Sequence, residues 1–207
     1  MVSAETALQR LREGNCRFVQ GKTGHVEAVE RIHRGESVSS QSPFAIVLAC
    51  SDSRVPIELV FDQGIGDLFV IRVAGNIVAP SQIGSVEYAA QQFGTKLVLV
   101  LGHTKCGAVI ATLNELAKRE SHRSPNLRAI VDRVRPAVEP VIAHREMSEG
   151  DEVLHDAVRA NIRASVDRLS HGSRILEQLI GDRELVVVGA EYSVETGAVE
   201  IFDGSSM

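Results

Sequence analysis

Apolar residues recur along this chain in two different periods. Unbroken apolar runs stand at residues 44–49 (Phe-Ala-Ile-Val-Leu-Ala), 97–101 (Leu-Val-Leu-Val-Leu) and 185–188 (Leu-Val-Val-Val), with a nearly continuous one at 68–73 (Leu-Phe-Val-Ile-Arg-Val). Short continuous runs of this kind predict strands covered on both faces. Between them the spacing becomes helical. Residues 4–19 make an amphipathic helix, and residues 81–93 a second one, with Ser81 as N-cap and Gly94 as its stop. Residues 106–118 continue as helix from the third strand, and Leu154, Val158, Ile162, Val166 and Leu169 trace a long amphipathic helix. Residues 198–202 predict an edge strand reached through a turn at 195–197. Strand followed by helix at this spacing implies parallel crossovers, hence an α/β fold. No internal repeat is present.

Composition narrows the setting. With 207 residues, 44% of them hydrophobic and 24% charged, the chain can bury one good core, and nothing in it resembles an interdomain linker. One domain over 1–207 is expected. A net charge of -5 gives no electrostatic footprint for nucleic acid, and no stretch reaches the ~18 apolar residues needed to cross a bilayer. Glu5, Arg10, Arg12 and Glu13 interrupt the N-terminal apolar residues, so no secretory signal is read and a cytoplasmic location is expected. Three cysteines are too few for a disulfide framework, which leaves thiols available for chemistry. Cys16, inside the first amphipathic stretch, is expected to be a small packing residue.

The chemistry gathers at two strand ends. Cys50-Ser51-Asp52-Ser53-Arg54 follows the first predicted strand, and His103-Thr104-Lys105-Cys106 follows the third. In an open α/β sheet the carboxyl ends of the strands form the ligand crevice. Two thiols and an imidazole delivered there make a Cys2His set, which leaves a tetrahedral zinc ion one free position. His103 and Cys106 are placed at the opening of a helix, facing one point. Reading Cys50 and Cys106 as core residues and His103 as a capped histidine leaves the nearby carboxylate of Asp52 and guanidinium of Arg54 unexplained. His25, His33, His122, His144, His155 and His171 lack a second ligand at good spacing, and Lys118-Arg119-Glu120 reads as a solvated helix end.

These motifs resemble the β-class carbonic anhydrases over most of the chain. The resemblance is carried by Cys50, Asp52 and Arg54 in C-S-D-S-R and by His103 and Cys106 in G-H-T-K-C-G. Residues 69–76 (Phe-Val-Ile-Arg-Val-Ala-Gly-Asn) and 85–88 (Ser-Val-Glu-Tyr) add to it. It implies reversible hydration of carbon dioxide to bicarbonate and a proton by a hydroxide on zinc, one ion per subunit, held by Cys50, His103 and Cys106. It also implies a mostly parallel four-stranded sheet with an added edge strand, flanked by helices. The chain is then expected to form a homodimer or dimer of dimers, with an N-terminal helical arm over 1–35 packing on the partner subunit. Asp52 can orient the nucleophile while Arg54 holds Asp52 ionised and in place.

The substrate is small and apolar, so its pocket needs dry walls and few polar groups. By resemblance Gln41 donates a hydrogen bond to substrate, Gly107 lends backbone beside the metal, Phe69 and Ala74 form walls, and Tyr88 reaches in from the partner. A subgroup of the family carries a tryptophan three residues before the first zinc cysteine, part of a noncatalytic bicarbonate site with an arginine and a tyrosine. Here that position is Val47, with Arg72 and Tyr192 where the other two are expected, and the chain contains no tryptophan. It therefore resembles the subgroup without that site. Two other readings share these ligands: a zinc hydrolase of carbonyl sulfide or carbon disulfide, and a noncatalytic zinc-binding sensor, which has no need of Asp52 and Arg54.

Overall fold

The structure, a computed structural model, describes residues 2–24, 41–117, 124–143 and 150–204. In chain order these residues form α1 (Ala4–Val19), β1 (Ala45–Ala49), a single turn α2 (Ile57–Val60), β2 (Leu68–Arg72) and a 3₁₀ turn at Ala74–Asn76. Then follow α3 (Pro80–Phe93), β3 (Leu97–His103), α4 (Gly107–Leu116), α5 (Pro125–Ala143), α6 (Gly150–His171), α7 (Arg174–Gly181), β4 (Val186–Tyr192) and β5 (Val199–Gly204). The strands make one sheet in the order β2-β1-β3-β4-β5, parallel except for antiparallel β5. This is the expected four-stranded parallel core with an added edge strand. No helix among the described residues is long and apolar enough to cross a membrane.

The sheet is covered on both faces, which is why its central strands are apolar throughout: every residue of β1 and β3 is buried. Ile46, Leu48, Val98, Val100 and Val187 face α3–α7, while Val47, Leu97, Leu99, Leu101 and Val188 face α1 and α2. Each fully buried Leu or Val contributes roughly 1.5–3 kcal/mol, so the double cover fixes the strands that carry the motif loops.

Several element ends differ from the sequence reading. β3 runs two residues further than expected, through Gly102 and His103, because both pair with β4 opposite Glu191 and Tyr192. α3 begins at Pro80 and its N-cap is Ala79, so Ser81 lies inside the first turn. Proline at N1 has its φ already set for a helix and loses no bond there, so it opens the helix one residue ahead of the serine. The apolar pattern predicts neither α5 nor α7; α5 contains Pro136 and Pro140, yet buries Val131, Val134 and Val138 on one side.

α1 is capped by Ser3, whose hydroxyl accepts from Thr6 N at 3.1 Å, and it buries Ala7, Leu8, Leu11, Gly14 and Asn15 against its own chain. It approaches α2 so closely that a Cβ on Gly14 would sit 1.7 Å from the Phe61 carbonyl oxygen. Cys16 is exposed on the outer face of α1, contrary to the packing role expected for it, because the buried stripe passes through Gly14 and Asn15. The later part of the expected N-terminal arm, 25–35, lies outside the described residues, as do His25, His33, His122, His144 and the 118–120 charge run.

Candidate metal centre

Cys50 follows β1 directly, His103 is the last residue of β3, and Cys106 is the N-cap of α4. β1 and β3 are adjacent and parallel, so their carboxyl ends deliver these side chains to one point. The donor atoms of Cys50, His103 and Cys106 all lie within 4.8 Å of one another, and all three residues are buried. His103 and Cys106 meet through a strand end and a helix cap, where the sequence placed both at a helix opening. The two residues between them make a tight turn in which Lys105 has a left-handed φ of 56°. That conformation costs a non-glycine residue about 1–2 kcal/mol.

The backbone around the site directs each donor. His103 Nδ1 lies 2.9 Å from the Thr104 carbonyl, and donating there leaves the Nε2 lone pair facing the sulfurs. That Nε2 is buried with no hydrogen-bond partner among the described residues. Gly75 N donates to Cys50 Sγ at 3.3 Å from a backbone with φ of 70°. Gly75 is held by Asn161 of α6, which donates to its carbonyl at 2.8 Å, while Ser165 donates to the Asn76 carbonyl at 3.0 Å. A Cβ on Gly75 would meet Ala108 Cβ at 2.9 Å, so the position suits glycine on two counts.

The two sulfurs compete for one proton. A hydrogen bond from the Cys106 thiol holds Cys50 down to about 4, and the same bond, with burial, pushes Cys106 well above its usual value. Burial opposes a charged His103, yet the Cys50 sulfur and Asp52 beside it hold its pKa above the usual histidine value. Two buried thiolates this close need a cation between them, and a Cys2His set of soft and borderline donors suits zinc far better than a hard ion. The donor set therefore fits the metal that the motifs imply, with three protein ligands and one position left open.

Asp52 stands beside the donors, its Oδ2 3.8 Å from His103 Nε2. Arg54 grips it with a fork: Nε donates to Oδ1 at 2.9 Å and Nη2 to Oδ2 at 2.8 Å, with Arg54 N adding a bond to Oδ1 at 2.9 Å. These bonds hold the Asp52 carboxyl well below the usual carboxylate range. Arg54 Nη2 also reaches the Lys105 carbonyl at 3.3 Å. Arg72 fastens the same loop, donating from Nε to the Cys50 carbonyl at 3.1 Å and from Nη2 to the Asp52 carbonyl at 2.7 Å. Val47 and Tyr192 are buried in the face covered by α1 and α2.

The expected pocket residues divide into two groups. Ala74 precedes Gly75 and Gly107 follows Cys106, so both flank the donors. Gln41 and Phe69 do not join them. Phe69 pairs with Ile46 in the parallel register, four residues upstream of Cys50, or roughly 13 Å along the strand at ~3.3 Å per residue. Gln41 precedes β1 and is exposed at that same amino end of the sheet. Tyr88, 54% exposed, packs tilted against Phe69 and edge-on against Phe93, at ring distances of 6.2 and 5.7 Å, beside the edge strand β2.

Sequence reasoning gave Arg72 no role in the metal centre and missed Asn161, Ser165 and Glu195. Asn161 and Ser165 are an i, i+4 polar pair beside the apolar stripe of α6, which is the one local signal they carry. Glu195 binds Lys105 Nζ at 2.6 Å and accepts from Thr104 Oγ1 at 2.7 Å, and the lysine, then the threonine, hold its carboxyl down to about 2.

Comparison with known proteins places the chain in a family. The carbonic anhydrase family model matches residues 45–199. Among the most similar relatives, a carbonic anhydrase of Mycolicibacterium smegmatis is 36% identical over 197 residues, 94% of this chain and 91% of that protein. Carbonic anhydrase 2 of Mycobacterium tuberculosis is 36% identical over 201 residues, covering 95% and 92%. A solved structure of the Coccomyxa β-carbonic anhydrase in complex with acetazolamide superposes with a TM-score of 0.73 at 26% identity, covering 86% of this chain and 80% of that one.

Proposed function

The chain belongs to the β-class carbonic anhydrases, and from that premise we propose that it hydrates carbon dioxide reversibly at a zinc ion held by Cys50, His103 and Cys106, with Asp52 and Arg54 orienting the nucleophile. The observation that carries this reading is the meeting of three buried donors beside a carboxylate already locked by a guanidinium fork.

Bound there, zinc supplies the positive charge that lowers the pKa of a water from 15.7 toward about 7. The chain supplies the rest. Asp52 is ionised at neutral pH and acts only as an acceptor, so an attacking water or hydroxide that donates to it turns its lone pair toward the carbon. Arg54 takes one bond to each carboxylate oxygen, which stops the acceptor from rotating. The Gly75 N–H and the amino end of α4 favour the charged form of the two sulfurs. Ala74 and the Gly107 backbone bound the space beside the donors, where a linear apolar substrate needs no strong polar contact.

Gln41, Phe69 and Tyr88 act across a subunit boundary in this reading, because each lies at the opposite end of the sheet from its own Cys50 or packs with a residue that does. The aromatic cluster beside β2, in which Tyr88 is exposed over half-buried Phe69 and Phe93, supports a homodimer, or a dimer of dimers, in which each chain completes the partner's pocket. We place the chain with the subgroup lacking the noncatalytic bicarbonate site, since Val47 is apolar and Arg72 is committed to two loop carbonyls. A cytoplasmic location and a single domain complete the proposal.

A stopped-flow hydration assay run beside a sulfide-release assay on carbonyl sulfide tests the reading. Rapid hydration with little sulfide release is expected; sulfide release without hydration would assign the site to the sulfur analogue.

A further inference from the structure

Two of the three donors hang on a turn that is gripped from outside by the β4–β5 hairpin. Only Thr104 and Lys105 separate His103 from Cys106, and the left-handed Lys105 persists where neighbours over-determine it. Those neighbours are specific. Thr104 N donates to the Tyr192 carbonyl at 2.9 Å, which extends the β3–β4 ladder one residue past His103. Thr104 Oγ1 donates to Glu195 Oε2 at 2.7 Å and accepts from Val194 N at 3.1 Å. Lys105 Nζ meets Glu195 Oε1 at 2.6 Å. Glu195 thus spends one carboxylate oxygen on each of the two residues between the donors. The hairpin turn is itself anchored, because Asn15 of α1 donates to the Gly197 carbonyl at 2.8 Å and accepts from Val199 N at 2.9 Å.

We infer that Glu195 is a positioning residue for the metal centre: its carboxylate locks the Thr104-Lys105 turn so that His103 Nε2 and Cys106 Sγ converge on Cys50 before a metal arrives. The inference rests on the zinc-site reading above and deepens it. It joins the site to an element 91 residues away from Thr104 in sequence, through side chains outside the donor set. A site held in shape by its surroundings gives up its ion more slowly than one whose ligands must be gathered at each encounter, and removing an outer partner typically costs 10–100-fold.

The test is zinc release from the loaded full-length protein into excess chromophoric chelator, followed by absorbance. Glu195→Ala should release zinc about tenfold faster than wild type, the lower end of that range because Glu195 acts through the turn. Glu195→Gln, which keeps an acceptor for Thr104 and loses the charge facing Lys105, should fall between them and carries the test if the alanine variant does not fold. The Lys105→Ala, Glu195→Ala double variant should release more slowly than the product of the single effects predicts, since both changes break one contact. Glu200→Gln, on β5 and paired with Arg159, should release at the wild-type rate. A wild-type rate in the Glu195 variants overturns the inference. So does an equal acceleration by Glu200→Gln, or a lower melting temperature of metal-free Glu195→Ala without faster release. Wild-type protein that takes up no zinc overturns the zinc reading itself, whereas one zinc per chain with unchanged release in the variants overturns this inference alone.

Discussion

Arg54→Ala removes two of the three bonds that fix the Asp52 carboxylate, those at 2.9 and 2.8 Å, and leaves only the backbone contact to Oδ1. Asp52 Oδ2 is then free to rotate, and with His103 Nε2 only 3.8 Å away it can swing over the donor set and crowd the open position. The charge state of Asp52 changes little by comparison. Without Arg54 its pKa returns toward the ordinary ~3.9, so at pH 7 the group is still ionised. The loss is therefore one of placement. It should appear as a fall in kcat/KM of about 10–100-fold, the range that goes with removing an outer partner of a metal site, and it should be larger at pH 6.5 than at 8.5, because hydroxide competes with the carboxylate for the open position better than water does. Zinc stays at one per chain because no ligand is touched, and Arg54→Lys restores only part of the rate, since an ammonium cannot form the fork. Stopped-flow hydration with a pH indicator, paired with metal analysis of the same sample, reads both quantities. Hydration close to wild type across this range would refute the reasoning and leave Arg54 with a purely structural role.

Cys106→Ser exchanges a soft donor for a hard one, so zinc content and hydration should fall together, and stoichiometric zinc with full activity would remove Cys106 from the ligand set. Gly14→Ala forces a methyl to within 1.7 Å of the Phe61 carbonyl and 2.8 Å of Gln63 Nε2, so α1 must lift off α2. About 3 kcal/mol of stability should be lost, seen calorimetrically as a melting temperature lower by about 6–12 °C, and an unchanged value would contradict the close approach. The Asp52 carboxyl has a depressed pKa in the folded protein, so it contributes stability that is fully present above its unfolded value near ~3.9 and lost as pH falls through the folded value. In metal-free protein the stability difference between wild type and Asp52→Asn should be constant at pH 5–6 and shrink at pH 3, measured by denaturant unfolding; a difference that grows on acidification has the wrong sign.

The parallel sheet was legible because strands buried on both faces must be apolar throughout, and the runs at β1 and β3 have no other reading at that length. Strand ends were less legible. Gly102-His103 and Gly189-Ala190-Glu191-Tyr192 break the apolar pattern, yet they remain in the sheet because each pairs across the β3–β4 ladder. α5 was hidden by Pro136 and Pro140, which suggest a break but fall on exposed positions of a helix stabilised by its buried valines. The metal site could be read because its donors and the Asp52-Arg54 pair are packed into two short motifs at strand ends. What holds those motifs could not. Asn161, Ser165 and Glu195 come from elements folded onto the site from far along the chain, and no local pattern marks a residue whose partner is a turn between two ligands. Gln41, Phe69 and Tyr88 entered through family resemblance, and only the strand register shows that a single chain cannot bring Phe69 to its own donors.

The most direct test of the central claim is to strip the purified protein of metal and titrate zinc back while following carbon dioxide hydration. The rate should rise in proportion to added zinc and break sharply at one equivalent per chain, with Cys106→Ser showing no such break. Hydration that survives complete metal removal, or a protein that takes up one zinc per chain and stays inactive, would contradict it.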